Sequence, residues 1–313
     1  SIALEGRILM NSKLMSKASL LSLTFFFIFA LCYSAFAATH YIDYVGGSDS
    51  NSGLSTAAPW KRCPGMHGFS GSYSHAAGDR FVFKGGVTWP SAVLPLTISY
   101  SGAPGNNDIY TSDQSWYSGA SWTRPVFNGE NNIGSFTGLI ESDDKQYFTI
   151  EYIRITGSGL EGATDDQSYG MKIVGTGLNG VTIQYMQLVP YSKSNLVLSA
   201  CGNGASTNGL VIQYNDFEGA MNNIEMGCTD NTSTVDGLII RGNSFSNYSQ
   251  LSKGDHPDGI HFHNKGGALR RFSNVEISGN KFYGVWKESN TAQIYFEDAV
   301  SYARIFNNVF SIS

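Results

Sequence analysis

The chain has 313 residues and a net charge of −5, and its length would accommodate either one large core or two domains. Thirty-six glycines, 19 phenylalanines and 17 tyrosines accompany only 14% charged residues, which favours short strands joined by glycine-rich turns over amphipathic helices. No basic block exists, so nucleic acid is excluded as an expected partner, and a strongly anionic ligand would need locally concentrated cations.

The first element in the chain has the order of a secretory signal. Cations, an apolar run and a small-x-small cleavage site follow one another: Arg7, Lys13, Lys17, Leu20–Tyr33 and Ala35-Phe36-Ala37. The apolar run is shorter than the ~20 residues that span a bilayer. We therefore expect a secreted protein, extracellular or periplasmic, with no membrane attachment after cleavage. We further expect that translation starts at Met10 or Met15 and that the sequence is a fragment at its C-terminus.

Three cysteines remain after the signal. Cys32 leaves with it, and Cys63, Cys201 and Cys228 stay. An odd count in an exported chain allows one disulfide and a spare thiol. Cys201 and Cys228 stand about one repeat apart, so they are either bridged on adjacent coils or two buried reduced thiols.

An eight-residue pattern recurs six times in the second half of the chain. Apolar residues occupy places one, three and eight of these segments: Phe148–Ile155, Val181–Leu188, Leu210–Phe217, Leu238–Phe245, Val275–Phe282 and Ala303–Phe310. Four segments carry asparagine at place six: Asn215, Asn243, Asn280 and Asn308. Asparagine tolerates the left-handed conformation of a sharp bend, and stacked amides hydrogen-bond in a ladder. We predict that this column does both.

A second strand pattern alternates with the first. Five segments align without gaps: Met171–Val174, Leu196–Ser199, Ile224–Gly227, Ile260–His263 and Ile294–Glu297. Their first and third residues are apolar and should point inward, whereas the second and fourth should point outward. Two or more strands in each coil of roughly 28 residues indicate a solenoid.

The repeats of residues 146–313 resemble the right-handed parallel β-helix superfamily of pectin-lyase-like proteins. The start of the mature chain carries the same resemblance: Tyr41-Ile42-Asp43, Gly47–Gly53, Pro59-Trp60-Lys61 and Gly78–Gly86. The resemblance implies an all-β fold, a right-handed parallel β-helix. Three regions follow: a signal at 1–37, an N-terminal capping region with early coils at 38–145, and regular coils at 146–313. A propeller or sandwich fits the repeat step and the asparagine column poorly.

Outward residues of the aligned second strands should form two columns on one face. The first reads Lys172, Val197, Glu225, His261 and Tyr295, and the second reads Val174, Ser199, Gly227, His263 and Glu297. Neighbouring strands lie about 4.8 Å apart, so the acidic and histidine members should fall within roughly 10 Å of each other. Insertions at Asn247–Pro257 and Tyr283–Ala292 precede two of these strands, and such insertions usually wall a binding face. We predict a groove.

The segment Lys253–Lys265 concentrates acid–base groups beside this groove. The plainer alternative is that Asp258-Gly259 makes a turn into the strand and that the histidines are solvated surface. If the segment instead forms a functional site, the candidate catalytic residues are Asp258, His261, His263, Glu225, Glu297 and Lys265. The candidate substrate-binding residues are Lys253, Asp255, His256, Tyr295, Trp286 and Arg271.

Three chemistries fit these residue types. A lyase acting on a uronic-acid polymer needs a base, His261 or His263, and a cation such as Lys265, Lys253 or Arg271 to stabilise the enolate-like charge. A glycoside hydrolase needs two carboxyl groups about 5–10 Å apart, which Asp258 with Glu225 or Glu297 could supply. A metal site could draw on Asp255, Asp258, His261 and His263. Carboxylates would favour Ca²⁺ and imidazoles a transition metal.

The motifs that mark particular activities in this superfamily are incomplete or absent in this sequence. Polygalacturonases of the superfamily carry Asn-Thr-Asp-Gly, of which His256-Pro257-Asp258-Gly259 matches only the last two residues. The Trp-x-Asp-His strand of pectate lyases is absent from the sequence. We therefore expect a monomeric, secreted protein that cleaves a polysaccharide by lyase or hydrolase chemistry. The rival is a non-catalytic glycan-binding or adhesin-type solenoid with stacking platforms at Trp60, Trp89, Trp116, Trp122 and Trp286.

Overall fold

Strands form where apolar and polar residues alternate, and bends form where that alternation breaks. In the computed structural model the described residues are 36–159, 168–189, 193–200, 204, 206–228, 233–248, 257–264, 272–286, 292–297 and 300–312. Residues 37–313 form one compact unit. Most of the predicted signal lies outside the described residues. Among those described, no helix has the length and apolar character needed to cross a membrane.

Sheet 1 contains nine strands, numbered in chain order. They are β1 (Thr39–Ile42), β2 (Arg80–Gly85), β5 (Asp108–Tyr117), β8 (Phe148–Glu151), β11 (Thr182–Gln184), β15 (Val211–Gln213), β19 (Ile239–Arg241), β23 (Val275–Ser278) and β26 (Ala303–Phe306). Neighbours in this sheet are parallel and come from successive coils.

Sheet 2 contains eight strands, and its members follow those of sheet 1 along the chain. They are β3 (Thr88–Trp89), β6 (Val126–Asn128), β9 (Arg154–Thr156), β12 (Gln187–Val189), β16 (Asp216–Glu218), β20 (Ser244–Tyr248), β24 (Lys281–Trp286) and β27 (Val309–Ile312). A short 3₁₀ turn, Ser91–Val93, follows β3.

Sheets 3 and 4 complete the coils. Sheet 3 contains β4 (Leu96–Ile98), β7 (Gly138–Asp143), β10 (Tyr169–Gly175), β13 (Ser194–Ala200), β17 (Asn222–Cys228), β21 (Asp258–Asn264) and β25 (Ala292–Phe296). Sheet 4 contains β14 (Ser206–Asn208), β18 (Thr234–Asp236) and β22 (Phe272–Ser273). The chain visits sheets 1, 2 and 3 in turn and stacks each coil on the last. The predicted parallel β-helix is confirmed, and the propeller and sandwich are excluded.

The predicted bend falls one place earlier than expected. Each eight-residue segment divides into two strands, one in sheet 1 and one in sheet 2, and place five has a positive φ of 53–64°. The place-five residues are Tyr152, Tyr185, Tyr214, Gly242, Gly279 and Asn307. The three tyrosines stack on one another, with centroids 5.0 and 5.4 Å apart. Packing between coils thus holds a conformation that tyrosine alone would not favour.

The asparagine column at place six forms the predicted ladder. The Nδ2 of Asn215, Asn243 and Asn280 each donates to the Oδ1 of the asparagine on the following coil, at 3.0, 3.0 and 2.9 Å. Each Nδ2 also donates to a main-chain carbonyl, as Asn243 does to Ile212. These buried amides therefore satisfy the polar groups at the bend, but the bend itself needs no left-handed asparagine at this place.

Apolar side chains at places one, three and eight fill the interior. At place eight, Phe217, Phe245, Phe282 and Phe310 stack with centroids 4.7–5.2 Å apart. The coil formed by β26 and β27 leaves Ile305 and Phe310 about half exposed, at 45% and 50%.

The predicted insertions begin later than expected. Asn247 and Tyr248 belong to β20, and Tyr283–Trp286 belong to β24, because the pairing of the two strands continues past a bulge between Ser246 and Tyr248 to Trp286. Residues 249–256 and 287–291 lie outside the described residues.

Among the cysteines, Cys63 is a free thiol, and its burial raises the pKa of that thiol. Cys201 and the side chain of Cys228 lie outside the described residues, so their bridge stays a prediction.

Candidate functional site

The outward columns of sheet 3 have the predicted register. Lys172 pairs with Val197, Val197 with Glu225, Glu225 with His261, and His261 with Tyr295. The second column runs through Val174, Ser199, Gly227 and His263 in the same way. Glu297 follows β25, and its backbone N–H donates to the carbonyl of Phe262 (3.0 Å), which sets it beside His263.

Asp258 and His261 form a buried pair within β21. The Oδ2 of Asp258 lies 3.2 Å from Nδ1 of His261, and the side chains are 0% and 1% exposed. The other carboxylate oxygen of Asp258 accepts the N–H of Ala292 (2.9 Å). Since both oxygens are engaged below the surface, Asp258 is placed to orient His261 rather than to contact a ligand.

Glu297 connects the two histidines. Its Oε1 lies 3.1 Å from Nε2 of His261, and its Oε2 lies 3.7 Å from Nδ1 of His263. The imidazole rings lie close together, with centroids 3.7 Å apart and planes inclined by 32°. Glu297 is 31% exposed, the most accessible member of the group. It is therefore the member best placed to meet a ligand from solvent.

Glu225 holds the outer side of His263. Its Oε1 lies 3.1 Å from Nε2 of His263, and its Oε2 accepts the hydroxyl of Ser194 (2.6 Å). Six side chains are thus linked in one line, which we call the acid–base chain: Asp258, His261, Glu297, His263, Glu225 and Ser194. Ser194 was not predicted, because its hydroxyl reaches Glu225 from a position three residues before Val197, the strand partner of Glu225.

The environment gives two members of the acid–base chain different charge states. Burial, followed by the charge of His263, lowers the pKa of His261 to about 4, although Glu297 and Glu225 partly oppose this effect. Burial alone would raise the pKa of Glu225. The hydrogen bonds from His263 and Ser194, with the charges of His263 and Lys193, outweigh burial and lower it to about 2. At neutral pH His261 is therefore neutral and Glu225 is ionised.

Asp258-Gly259 lies inside β21 and does not form the turn of the plainer sequence interpretation. A Cβ at Gly259 would overlap the carbonyl oxygen of Gln293 and lie 3.0 Å from the hydroxyl of Tyr248. Glycine is needed here because β25 passes close to β21. The close approach allows the N–H of Ala292 to reach Asp258.

The residues that precede His263 in the second column are small. Ser199 and Gly227 occupy this column on the two preceding coils, and His263 is 18% exposed. On the following coil, the ring of Tyr295 lies 4.9 Å from that of His261. Small residues therefore lead along this column to the acid–base chain.

Several predicted site residues are not brought to this place. Lys253, Asp255, His256, Lys265 and Arg271 lie outside the described residues. Trp286 ends β24, so its backbone belongs to sheet 2 rather than to sheet 3. Trp60 and Trp89 are buried, at 1% and 0% exposure, and the prediction of them as stacking platforms is wrong because they fill the core.

Within the described part of the chain, His261, His263 and Glu297 form a group that could hold a metal ion, with one ligand atom from each within 4.8 Å of the others. Asp258, also predicted as a ligand, contacts the far nitrogen of His261 instead. Two imidazoles in the group favour a transition metal over Ca²⁺.

No protein-family model matches the chain, and no curated protein matches its sequence. Among solved structures, the chain is similar to the GH136 lacto-N-biosidase from Eubacterium ramulus, with 9% identity and a TM-score of 0.42 over 88% of this chain and 68% of that one. It is similar to a rhamnogalacturonan lyase, with 12% identity and a TM-score of 0.39 over 79% and 69%. An alginate lyase from Paenibacillus sp. str. FPU-7 gives 11% identity and 0.31 over 76% and 91%. The class, a parallel β-helix, is defined by the strand pairings of this chain.

Proposed function

We propose that the chain is a secreted, carbohydrate-active enzyme that cleaves a polysaccharide on the outer face of sheet 3. The observation that carries the proposal is the acid–base chain, in which carboxylates lie on opposite nitrogens of one partly exposed imidazole, His263. Acid–base groups in hydrogen-bonding reach of one another, with pKa values displaced by burial and by charge, are typical of catalytic sites.

Glycoside hydrolysis is the chemistry that this arrangement supports best. Glu225 and Glu297 are separated by the width of an imidazole ring and two contacts, which falls in the range of about 5–10 Å used by paired carboxylates. Glu225 stays ionised and serves as nucleophile or base, because its pKa is lowered to about 2. Glu297 donates a proton to the departing oxygen, since it is the most exposed carboxylate of the acid–base chain and contacts both histidines.

A lyase is the second candidate. His263 is a partly exposed imidazole beside two carboxylates, and it could remove the proton next to a uronate carboxyl group. The charge that then develops requires a cation, and Lys253, Lys265 and Arg271 are the predicted sources. The two chemistries differ in their products. Hydrolysis adds water and yields new reducing ends only, whereas elimination also yields an unsaturated sugar.

The test is a screen of the purified chain against acidic and neutral polysaccharides. Reducing ends and the absorbance of unsaturated products are measured in parallel. Glu297→Gln and Glu225→Gln should each lower cleavage by about 100-fold or more. Glu141→Gln is the matched control, because Glu141 points outward in the same column on β7, four strands from β21.

The outcomes separate the alternatives. Glycan binding without cleavage by any preparation would identify a non-catalytic solenoid and overturn the proposal. Cleavage that survives both glutamine variants at the control's rate would place the reaction elsewhere. The export component of the proposal rests on the N-terminal signal pattern, and it is tested by expressing the full chain and measuring its size and its location.

A further inference from the structure

We propose that His261, His263 and Glu297 form a binding site for a divalent transition-metal cation of the Zn²⁺ class. The inference concerns residues of the proposed catalytic site but goes beyond cleavage, because cation binding does not require that the chain act on a glycan. Each of the three side chains offers one ligand atom within 4.8 Å of the others.

The spacing of the ligand atoms suits a tetrahedral cation. Nε2 of His261 lies 3.1 Å from Oε1 of Glu297, and Nδ1 of His263 lies 3.7 Å from Oε2. Ligand atoms placed about 2.0–2.1 Å from a zinc ion are separated by about 3.4 Å in tetrahedral geometry. These two contacts end on different oxygens of Glu297, and with one ligand atom from each residue the three atoms lie within 4.8 Å, so side-chain rotations would have to draw them together around an ion.

The outer nitrogens of both rings are already held by carboxylates. Nδ1 of His261 faces Asp258 at 3.2 Å, and Nε2 of His263 faces Glu225 at 3.1 Å. Histidines that bind a metal through one nitrogen usually donate the other N–H to a carboxylate or carbonyl. Both histidines here have a carboxylate oxygen within 3.2 Å of the outer nitrogen, and the two other nitrogens turn towards the same carboxylate, Glu297.

Donor counting explains why a cation fits better than a hydrogen bond alone. A neutral imidazole carries one N–H, yet each ring has a carboxylate at both nitrogens. In the structure Nε2 of His261 shares a hydrogen bond with Oε1 of Glu297, so a cation bound there would displace the proton, which Nδ1 would then present to Asp258. The cation would be held by three bonds, from His261, His263 and Glu297.

The donor set also selects the kind of cation. Ca²⁺ and Mg²⁺ prefer six or more oxygen ligands, whereas two imidazoles with one carboxylate suit Zn²⁺, Co²⁺ or similar ions. Three protein ligands leave a fourth position for water or for a substrate oxygen, as in catalytic zinc sites. Glu297 is 31% exposed, so solvent reaches this ligand of the proposed site.

The experiment measures cation binding to the full chain without glycan. The chain is purified without a polyhistidine tag, stripped with a chelator and titrated with Co²⁺ and Zn²⁺ by visible absorption and calorimetry. We expect one cation per chain, and no displacement of it by excess Ca²⁺. His263→Ala should abolish saturable binding, and Glu225→Gln should weaken it by about 10- to 100-fold.

His67→Ala is the matched control, because His67 is an exposed histidine outside the site and its loss should leave binding unchanged. Circular dichroism melting curves establish that each variant is folded. Absence of saturable Co²⁺ and Zn²⁺ binding by the unaltered chain would overturn the inference, as would equal binding by folded His263→Ala. Binding with no glycan cleavage would support the cation site while removing the proposed function. Cleavage without cation binding would do the reverse.

Discussion

Asp258 and His261 lie three residues apart on β21, with Oδ2 of Asp258 3.2 Å from Nδ1 of His261. Strand geometry alone would not predict this contact, because residues three apart point to opposite faces of a regular strand. β25 approaches β21 closely at Gly259, and the N–H of Ala292 on β25 donates to the other carboxylate oxygen of Asp258. As a result the buried carboxylate of Asp258 fixes the ring whose other nitrogen meets Glu297.

Asp258→Asn should therefore lower polysaccharide cleavage while leaving the fold intact. The amide keeps an oxygen for the N–H of Ala292 but removes the charge that orients His261, and we expect a loss of about 10- to 100-fold. A positioning role also predicts a changed pH–rate profile, which a purely structural role would not produce. Asp143→Asn, an exposed residue on β7, is the control and should keep the original rate and profile. An unchanged profile in Asp258→Asn would contradict the assignment.

The unfolding free energy should depend on pH through His261. In the unfolded chain a histidine binds its proton near pH 6.5, whereas the pKa of His261 in the folded chain is about 4. Between these values the unfolded state holds more protons, so stability rises with pH and falls as pH drops from about 6.5 to 4. The shift corresponds to about 3 kcal/mol at most. Urea unfolding across this range, compared with His261→Gln, measures it. Parallel curves for the two proteins would contradict the prediction.

Glu225 should contribute in a second, more acidic window. Its pKa in the folded chain is about 2, below the ordinary value of about 4.3. A lowered carboxyl pKa gives stability that is present above the unfolded value and is lost as pH falls towards the folded value. Acid unfolding of Glu225→Gln between pH 4 and 2 should therefore be less steep than that of the unaltered chain. Glu141→Gln should retain the original slope.

The asparagine ladder should be a major source of stability in the coils. Asn243→Ala removes the amide that donates to Ile212 and to Asn280 and whose Oδ1 accepts from Asn215. Buried polar groups left without these partners cost about 1–3 kcal/mol each, so we expect a loss of several kcal/mol in urea unfolding. Asn308→Ala, on the outermost described coil and only half-buried, should cost less. Equal losses would contradict this account.

The place-five glycine Gly242 and a second left-handed glycine outside that bend, Gly237, give a matched pair of substitutions. Gly237 and Gly242 have φ of +73° and +64°, but a Cβ at Gly237 meets nothing within 4 Å. At Gly242 the Cβ would lie 2.6 Å from the ring of Tyr214. Gly237→Ala should cost about 1 kcal/mol from backbone strain alone, and Gly242→Ala more. Adding Tyr214→Ala to Gly242→Ala should remove the excess, and a persistent excess would show that the ring is not its cause.

Much of the fold follows from patterns visible in the sequence. Period-two alternation at Ile260 and Phe262 predicts which side chains enter the core, and the spacing of equivalent segments predicts which coils stack. Together they place Glu225 and Tyr295 on either side of His261, as the strand pairings show. Bends were harder to place, because tyrosine at a positive φ depends on stacking between coils that no single segment reveals.

The sequence predicted which residues of the site lie close together, but it did not predict the role of each residue. Column positions gave His263 and Glu297 as neighbours. The burial of His261 and its contact with Asp258 arise from packing within and between coils, which sequence alternation does not encode. Ser194 gave no signal, because it lies three residues before the outward Val197, so alternation places this buried serine on the inward side. Its role arises only from the reach of the Glu225 side chain.

The alternation in β21 ties assembly of the site to correct strand registration. Ile260 and Phe262 are fully buried, while His261 and His263 occupy the intervening positions. A slip of one residue would drive two imidazoles into the hydrophobic interior and expose two large apolar side chains. Misregistered coils would thus lose both the apolar driving force and the acid–base chain in the same event. Any measurement of the histidine–carboxylate cluster is therefore also a sensitive report on whether this coil has wound correctly.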